Sequence, residues 1–539
     1  MTSAGLVVRF REFQHPPRVW SPLDAFIYSL MTTNIAVTFG TILVAQAAFY
    51  YPLGSLTVAI LVAGVFTVAE AVVYALLVPT LPRNGGDYLY QTRLLSRPLG
   101  ATVSMAGVVV GGALWMAISG WFASRFAVGP FLLLLGTALE WEPLITFGQW
   151  VLGPAGIILM GVVVIGWSAL LNLWGLRRYA RVQRVLLLFG LVSVVLLVVY
   201  FSFTTLSINQ SGYKAILYRA LEMGFERRGR VDGLTAVVRL LPIVAFGLIY
   251  PGWVTYQAGE IRKAWSLRVQ LLAIVGGKVA GVVFALFFLP LPIHHVGEEL
   301  FGASAHLAMK DPASFWVLAP RLFATNQSPW LGIVTLASLA VLINVWFWLW
   351  APNHVLAASR VLLAMCWDRI LPAWLGRLDP RTGAPRRAIA VFSAISLVAC
   401  LLALAGGMSR LAIIATVLSL ATFAITCLAA GLLPFRAREL YRESPASRLE
   451  LLHLPLITVA AALFVGFAFV LVWQYLRLGL QVQAQLPWTT TVTVAGIFMA
   501  CLVLTLVLSR RRRLGGAQVR VFYRQEASET TVGVSTEAD

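Results

Sequence analysis

Two ionisable residues stand inside long apolar stretches: Glu70 in the window 55–79 and Lys278 in the window 269–291. A charged side chain at bilayer depth costs about 2.5–3.5 kcal/mol on insertion scales, so it needs a partner, water or a role in a proton or ion path. Glu70 is the proton-coupling candidate; the plainer reading is a neutral or paired structural carboxyl. Lys278 follows Gly276-Gly277 and is expected to snorkel toward the cytoplasm, stem in the apolar layer and amine in water. A second pair of features concerns the backbone. Tyr250-Pro251-Gly252-Trp253 interrupts the apolar window 236–258, and Thr32-Thr33-Asn34 puts polar side chains in the middle of the window 25–48. Proline removes a donor and clashes one turn back, and glycine tolerates an open backbone, so the first is either a helix break or a simple kink. The Thr-Thr-Asn cluster either lines a cavity or hydrogen-bonds between helices.

Other chemistry is sparse. His294-His295 with Glu298 and Glu299 has metal-ligand residue types, but it is short and external and reads as a solvated loop. No nucleophile–base set, metal motif or nucleotide loop is present, so an enzyme is not expected and no cofactor is implied. Of 18 tryptophans, Trp346, Trp348 and Trp350 cluster in one apolar window, and Trp115 and Trp121 in another. Such rings cap a substrate or hold an organic cation, or else face lipid as anchors. Ser119 lies one helical turn from Trp115 and shares its face. Cys366, Cys400, Cys427 and Cys501 sit in or beside apolar stretches and read as small buried hydrophobes.

The elements that must position these residues follow from composition. Of 539 residues, 59% are hydrophobic and 12% charged, and the mean hydropathy is +0.84. That excludes a soluble globule, a disordered chain and a coiled coil. Windows long enough to span a bilayer, roughly 20 apolar residues each, centre on 25–48, 55–79, 101–124, 153–172, 185–204, 236–258, 269–291, 331–351, 388–406, 411–434, 455–475 and 489–509. Backbone groups in lipid must pair internally, and these runs are too long for barrel strands, so an all-α polytopic membrane protein of about twelve spans is expected. The net charge of +19 would suggest nucleic acid in a soluble chain; here 29 of the 41 Lys and Arg residues fall on alternate, same-side loops. The positive-inside rule places those loops and both termini in the cytoplasm. The Asn-x-Ser sequons at Asn209 and Asn326 fall on the other side. The long outer connections 205–235 and 292–330 are expected to carry short helices, and the polar tail beyond Arg513 to be disordered.

Four stretches resemble the amino acid–polyamine–organocation (APC) superfamily of secondary transporters. Pro82-Arg83-Asn84-Gly85-Gly86-Asp87-Tyr88-Leu89-Tyr90, with Arg93 and Pro98-Leu99-Gly100, is similar to its Pro-Arg-x-Gly-Gly-x-Tyr-x-Tyr loop, glycines turning the backbone and tyrosines anchoring at the interface. Asn172-Leu173-Trp174-Gly175 with Gln183, Ala258-Gly259-Glu260-Ile261, and Ser359-Arg360 with Leu371-Pro372 and Pro385 resemble three further signatures in the correct order. Their residues read as scaffold. The resemblance implies two five-helix inverted repeats, 21–205 and 206–435, followed by two extra helices in 436–510, between a cytoplasmic segment 1–20 and a basic then disordered tail 511–539. It also implies that the first helix of each repeat breaks near the bilayer midplane and binds solute there. On that basis Asn34, Ala36, Tyr250, Gly252 and Trp253 are the expected substrate contacts, with Ser119 and Asn344 beside them.

The chain departs from the family where Thr32–Gly40 lacks the Gly-x-Gly-Ile stretch, where Gly190 stands in place of a fifth-span lysine, and where Leu76 stands in place of a second-span acid. The expected function is a plasma-membrane permease moving an amino acid or related amine by alternating access, with H+ or Na+ as possible coupling ions. The alternative is a transporter-like sensor or interaction protein that no longer moves solute. No nucleic-acid partner is expected; the lipid bilayer is.

Overall fold

A computed structural model describes residues 16–33, 53–203, 210–225, 233–288, 290, 293–294, 297–323, 329–406, 408–478 and 487–513. Asn34, Ala36 and the sequons Asn209 and Asn326 lie outside the described residues. Apolar composition dictates the class: helices pair every backbone group within one segment, and the protein is an all-α polytopic membrane protein. Among the described residues, eleven helices are long and apolar enough to cross a bilayer. They are Ser55–Thr80 (span 2), Arg97–Ala138 (3), Pro154–Leu173 (4), Leu176–Val199 (5), Gly233–Glu260 (6), Leu267–Phe287 (7), Val334–Trp367 (8), Arg386–Ala403 (9), Arg410–Gly431 (10), Leu456–Leu476 (11) and Trp488–Arg510 (12). The first window contributes the helix Pro22–Thr32 (span 1). A capping box starts it: Ser21 accepts from the Asp24 backbone N–H, and Asp24 accepts in return from the Ser21 N–H at 2.9 Å.

Span 3 sits at the centre. In its most apolar stretch 89% of residues are buried, against 22% for span 5 and 11% for span 12, whose outward faces carry residues such as Leu188, Val195 and Val503. It is much longer than the window 101–124, because two π-helical stretches, Met105–Val110 and Ala123–Val128, carry the helix on through Pro130. Pro130 has no N–H to bond back into the π-helical stretch Ala123–Val128 that immediately precedes it, and the helix continues through it nonetheless. Close approach depends on small residues: a Cβ on Gly120 would lie 2.6 Å from the Gly161 Cα of span 4, and one on Gly107 would lie 1.8 Å from Thr422 Oγ1 of span 10. Helix association in lipid relies on such packing, because lipid tails are as apolar as leucine.

The long connections between spans 5 and 6 and between spans 7 and 8 carry short helices, as expected. Gln210–Glu222 packs on Glu298–Lys310 and Pro312–Phe323 through Ile216, Leu300 and Leu307. The four cysteines are buried, as their apolar surroundings in sequence suggested.

Gly107→Val should destabilise the fold by about 1–3 kcal/mol, the usual cost of overpacking, because Thr422 and the Leu418 carbonyl close its site. Gly166→Ala, with nothing within 4 Å of the added carbon, should be neutral. Melting curves of the detergent-solubilised proteins check both; equal midpoints for Gly107→Val and wild type would contradict the packing.

Candidate functional site

The sixth apolar stretch is broken. Its α-helix ends at Leu248, Tyr250 leaves helical geometry (φ −124°, ψ 28°), and the chain resumes as a tighter 3₁₀ helix, Pro251–Glu260. A kink alone is therefore not the outcome: Pro251 opens the new segment, where its lost N–H costs nothing. Span 1 also stops in mid-window, with Thr33 extended at φ −81°, ψ 98°.

Both half-helices thus end with their C-terminal carbonyls buried in the bundle, where unpaired polar groups are costly. Two side chains from other spans meet them. The Trp346 indole N–H of span 8 donates to the Thr33 carbonyl at 2.7 Å. The Lys278 ammonium of span 7 donates to the Leu248 carbonyl and, at 3.2 Å, to Thr33 Oγ1. Lys278 is 0% exposed and does not snorkel. A π-helical stretch, Leu271–Gly276, ends two residues before it. The extra residue such a turn carries changes the face that later side chains occupy, which apolar periodicity alone does not reveal. Glu70 of span 2 is also 0% exposed, and among the described residues neither of its carboxyl oxygens has a hydrogen-bond partner.

Beside the break lies an aromatic box. Trp115 of span 3 contacts Phe246, Tyr250 and Trp350 at ring-centroid distances of 5.3, 6.4 and 5.6 Å. His354 of span 8 stands edge-on to Trp253 at 4.5 Å and to Trp350 at 4.6 Å. Phe423 of span 10 closes the box against Tyr250 at 5.9 Å. Trp115, Trp346 and Trp350 are buried and so are not lipid-facing anchors. Trp115, Trp253, His354, Ser419 and Phe423 line a cavity of about 10 Å³, space for roughly one water. The His354 Nδ1 lies 3.3 Å from the Ala351 carbonyl, while His354 Nε2 and the Trp115 indole N–H are buried without partners among the described residues.

The four signature stretches meet at the end of the bundle rich in Lys and Arg. Arg360 and Glu260 form a buried ion pair through two hydrogen bonds, Nε to Oε1 at 2.9 Å and Nη2 to Oε2 at 3.2 Å. Asn84 donates to Glu260 at 2.9 Å and accepts from the Gly259 N–H at 2.8 Å. Asp87 accepts from Tyr74 of span 2, Tyr256 of span 6 and Thr426 of span 10. Gly85 and Gly86 supply the positive φ angles, 122° and 48°, that bring this turn under Tyr256. Tyr88 and Tyr90 are buried instead of anchoring at the interface, and Tyr88 donates to Asp368 at 2.6 Å, where Arg93 also pairs. The N-terminal segment joins in: Val19 and Trp20 donate from their backbone to the Glu260 carbonyl, and Arg262 donates back to the Trp20 carbonyl.

Of the residues expected from sequence, Tyr250 and Trp253 come together in the box. Gly252 faces away from it, its absent Cβ leaving room for the Tyr74 ring, which would lie 2.5 Å from that carbon. Ser119 donates to the Met116 carbonyl of its own helix. Asn344 donates to the Ala127 and Ala340 carbonyls and accepts from Trp348, so it ties span 8 to span 3. Neither Ser119 nor Asn344 lines the cavity. Sequence reasoning missed His354 and Phe423; one signal for the first was an imidazole, with Asn353, in the middle of an apolar helix. The sequence profile of a family described as amino acid permease matches residues 23–499. Comparison with curated proteins returns no match.

Asp87 lies between spans 2 and 3, and burial pushes its carboxyl above the usual range against three hydroxyl donors that favour the anion. A carboxyl raised on folding adds stability at low pH and loses it as pH rises through the folded value. Lowering pH from about 7 to about 4, the unfolded carboxyl's own range, should therefore raise the melting midpoint more in wild type than in Asp87→Asn. Identical pH profiles for the two proteins would exclude Asp87 as a titrating group of the fold. Arg360→Met, which strands the Glu260 charge, should cost about 3–5 kcal/mol on the same assay.

Proposed function

Because the chain belongs to the amino acid permease family, we propose that it carries an amino acid or related amine across the plasma membrane by alternating access. The observation that carries this reading is the convergence of two interrupted helices, spans 1 and 6, beside a buried aromatic box built from spans 3, 6, 8 and 10. Spans 3 and 8, the two longest spans among the described residues, hold equivalent third places in two five-helix sets, which supports an inverted repeat over 21–205 and 206–435.

In this reading Tyr250 and Trp253 contact the solute; Asn34 and Ala36, expected beside them, lie outside the described residues. Gly252 lets the break lie flat on Tyr74, while Ser119 and Asn344 hold helices together. The aromatic faces favour an ammonium group. With its Nδ1–H directed at the Ala351 carbonyl, His354 keeps Nε2 as an acceptor, and the Trp115 N–H is a donor. One polar acceptor and one donor in an apolar setting suit the orientation of a small polar solute. Glu70 carries the coupled proton.

The lysine- and arginine-rich end faces the cytoplasm by the positive-inside rule, with both termini there. Its interlocked layer, Glu260–Arg360 and the Asp87 cluster, closes that side. The solute then reaches the box from the opposite face, and release inward requires those contacts to part.

Purified protein in liposomes, given a panel of radiolabelled amino acids and amines, tests the proposal. Uptake of at least one member is expected. Trp253→Ala and His354→Ala should each lower that uptake by ~10-fold or more, equivalent to about 1.4 kcal/mol of lost contact. Gly252→Leu should abolish it with membrane insertion intact. Near-normal transport by all three variants would reject this site. Tight binding without flux would favour a sensor on the same scaffold.

A further inference from the structure

We propose that Lys278 is a tethered cation built into the junction of the two broken spans, and that its proton, exchanged with Glu70, is the particle coupled to transport. The inference rests on the transport reading above for its coupling half; the cation-site half stands on the geometry alone. Span 1 ends at Thr32 and the first half of span 6 ends at Leu248, and both ends are C-terminal. Each therefore presents the negative end of a helix dipole and unpaired carbonyls toward the same point. Convergent C-terminal half-helix ends make a cation site in a membrane protein. Here the Lys278 ammonium fills it, donating to the Leu248 carbonyl and to Thr33 Oγ1. One side chain thus links the two interrupted helices whose relative movement alternating access requires.

The surroundings leave one exchange partner. Span 1 presents Ser29 and Thr33 toward span 7, span 6 the Leu248 carbonyl, and span 8 Trp346 stacked on Phe284, all uncharged. Among the described residues, Glu70 is the charge that acts on Lys278, and Lys278 and Asp87 are the charges that act on Glu70. Tyr74, Tyr250, Tyr256 and Cys427 also lie within the field of Glu70. A buried carboxylate with no donor is costly, so this arrangement holds Glu70 as the neutral acid and Lys278 as the ammonium. Loss of one proton from Lys278 to water on the side then open leaves a neutral amine that no longer links the Leu248 carbonyl and the Thr33 hydroxyl as a cation. Glu70 and Lys278 share no hydrogen bond, so the Glu70 acid restores the ammonium through an intervening water: the carboxyl O–H bond breaks, the water passes a proton on, an N–H bond forms at Lys278, and net charge is conserved. Water on the open side reprotonates Glu70.

Two measurements test this. The first needs no solute: thermal unfolding of wild type and Lys278→Met in NaCl, methylammonium chloride or choline chloride at equal ionic strength. Wild type should be indifferent to the cation, and the variant, with the site emptied, should melt higher in Na+ or methylammonium than in choline. A wild type stabilised by Na+, or a variant indifferent to both small cations, overturns the tethered-cation assignment. The second uses liposomes with a pH dye inside and an amino-acid mixture outside. Wild type should show solute-driven proton entry, equal in Na+ and choline media. Lys278→Arg keeps the charge but does not release a proton, and it and Glu70→Gln should lose that entry. Proton entry at the wild-type level in either variant overturns the coupling. Absence of all solute flux in wild type would instead sink the transport reading and leave the melting result to decide the cation site.

Discussion

A bilayer offers no water to satisfy a backbone group, so a helix that stops inside it must find donors elsewhere in the chain. Much of the central architecture answers that demand. Span 1 stops at Thr33 and the α-helical half of span 6 at Leu248, and the carbonyls left there are met by Trp346 and Lys278 from spans 8 and 7. Those two side chains are therefore structural partners of both helix ends. The arrangement also explains why a polar residue pair as costly as Lys278 and Glu70 persists in an apolar core: one of them supplies what the broken backbone lacks.

The second organising element is the buried polar layer at the basic end. Its strength comes from burial, because a stranded partner of the Glu260–Arg360 pair has no solvent to turn to. Glycines at 85 and 86 allow the turn that places Asp87 within reach of three spans. Between this layer and the aromatic box the packing is tight, with the cavity near His354 about the size of one water. A solute larger than that must displace side chains to enter, and Trp253, His354 and Phe423 are the ones at the boundary.

Much of this was legible in the sequence, and for identifiable reasons. Spans follow from apolar length, so the later eleven were readable; the first is described only as far as Thr33. Tyr250-Pro251-Gly252-Trp253 marked the break because proline and glycine act locally on the backbone. The signature stretches marked a scaffold, and they do converge. What escaped was direction. Lys278 was expected to reach outward, yet a π turn just before it and the partner carbonyl at Leu248 direct it inward. The room that Gly252 leaves for the Tyr74 ring, a contact made across 178 residues of chain, was likewise beyond any local pattern. Asp87 with Thr426 and Glu260 with Arg360 are separated by 339 and 100 residues, so no local pattern could pair them. His354 was missed because a single imidazole in an apolar helix has no spacing partner to betray it.

The strand-like contact of Val19 and Trp20 with Glu260 and Arg262 has a mechanical consequence. It splices the stretch leading into span 1 to the exit of span 6, so the arm of one at the basic end of the bundle is yoked to that of the other. A swing of either arm alone would shear three backbone hydrogen bonds; a swing of both as one lever leaves them whole. The stiff unit is thus a composite arm drawn from two distant parts of the chain, and it leads to the junction that Lys278 bridges.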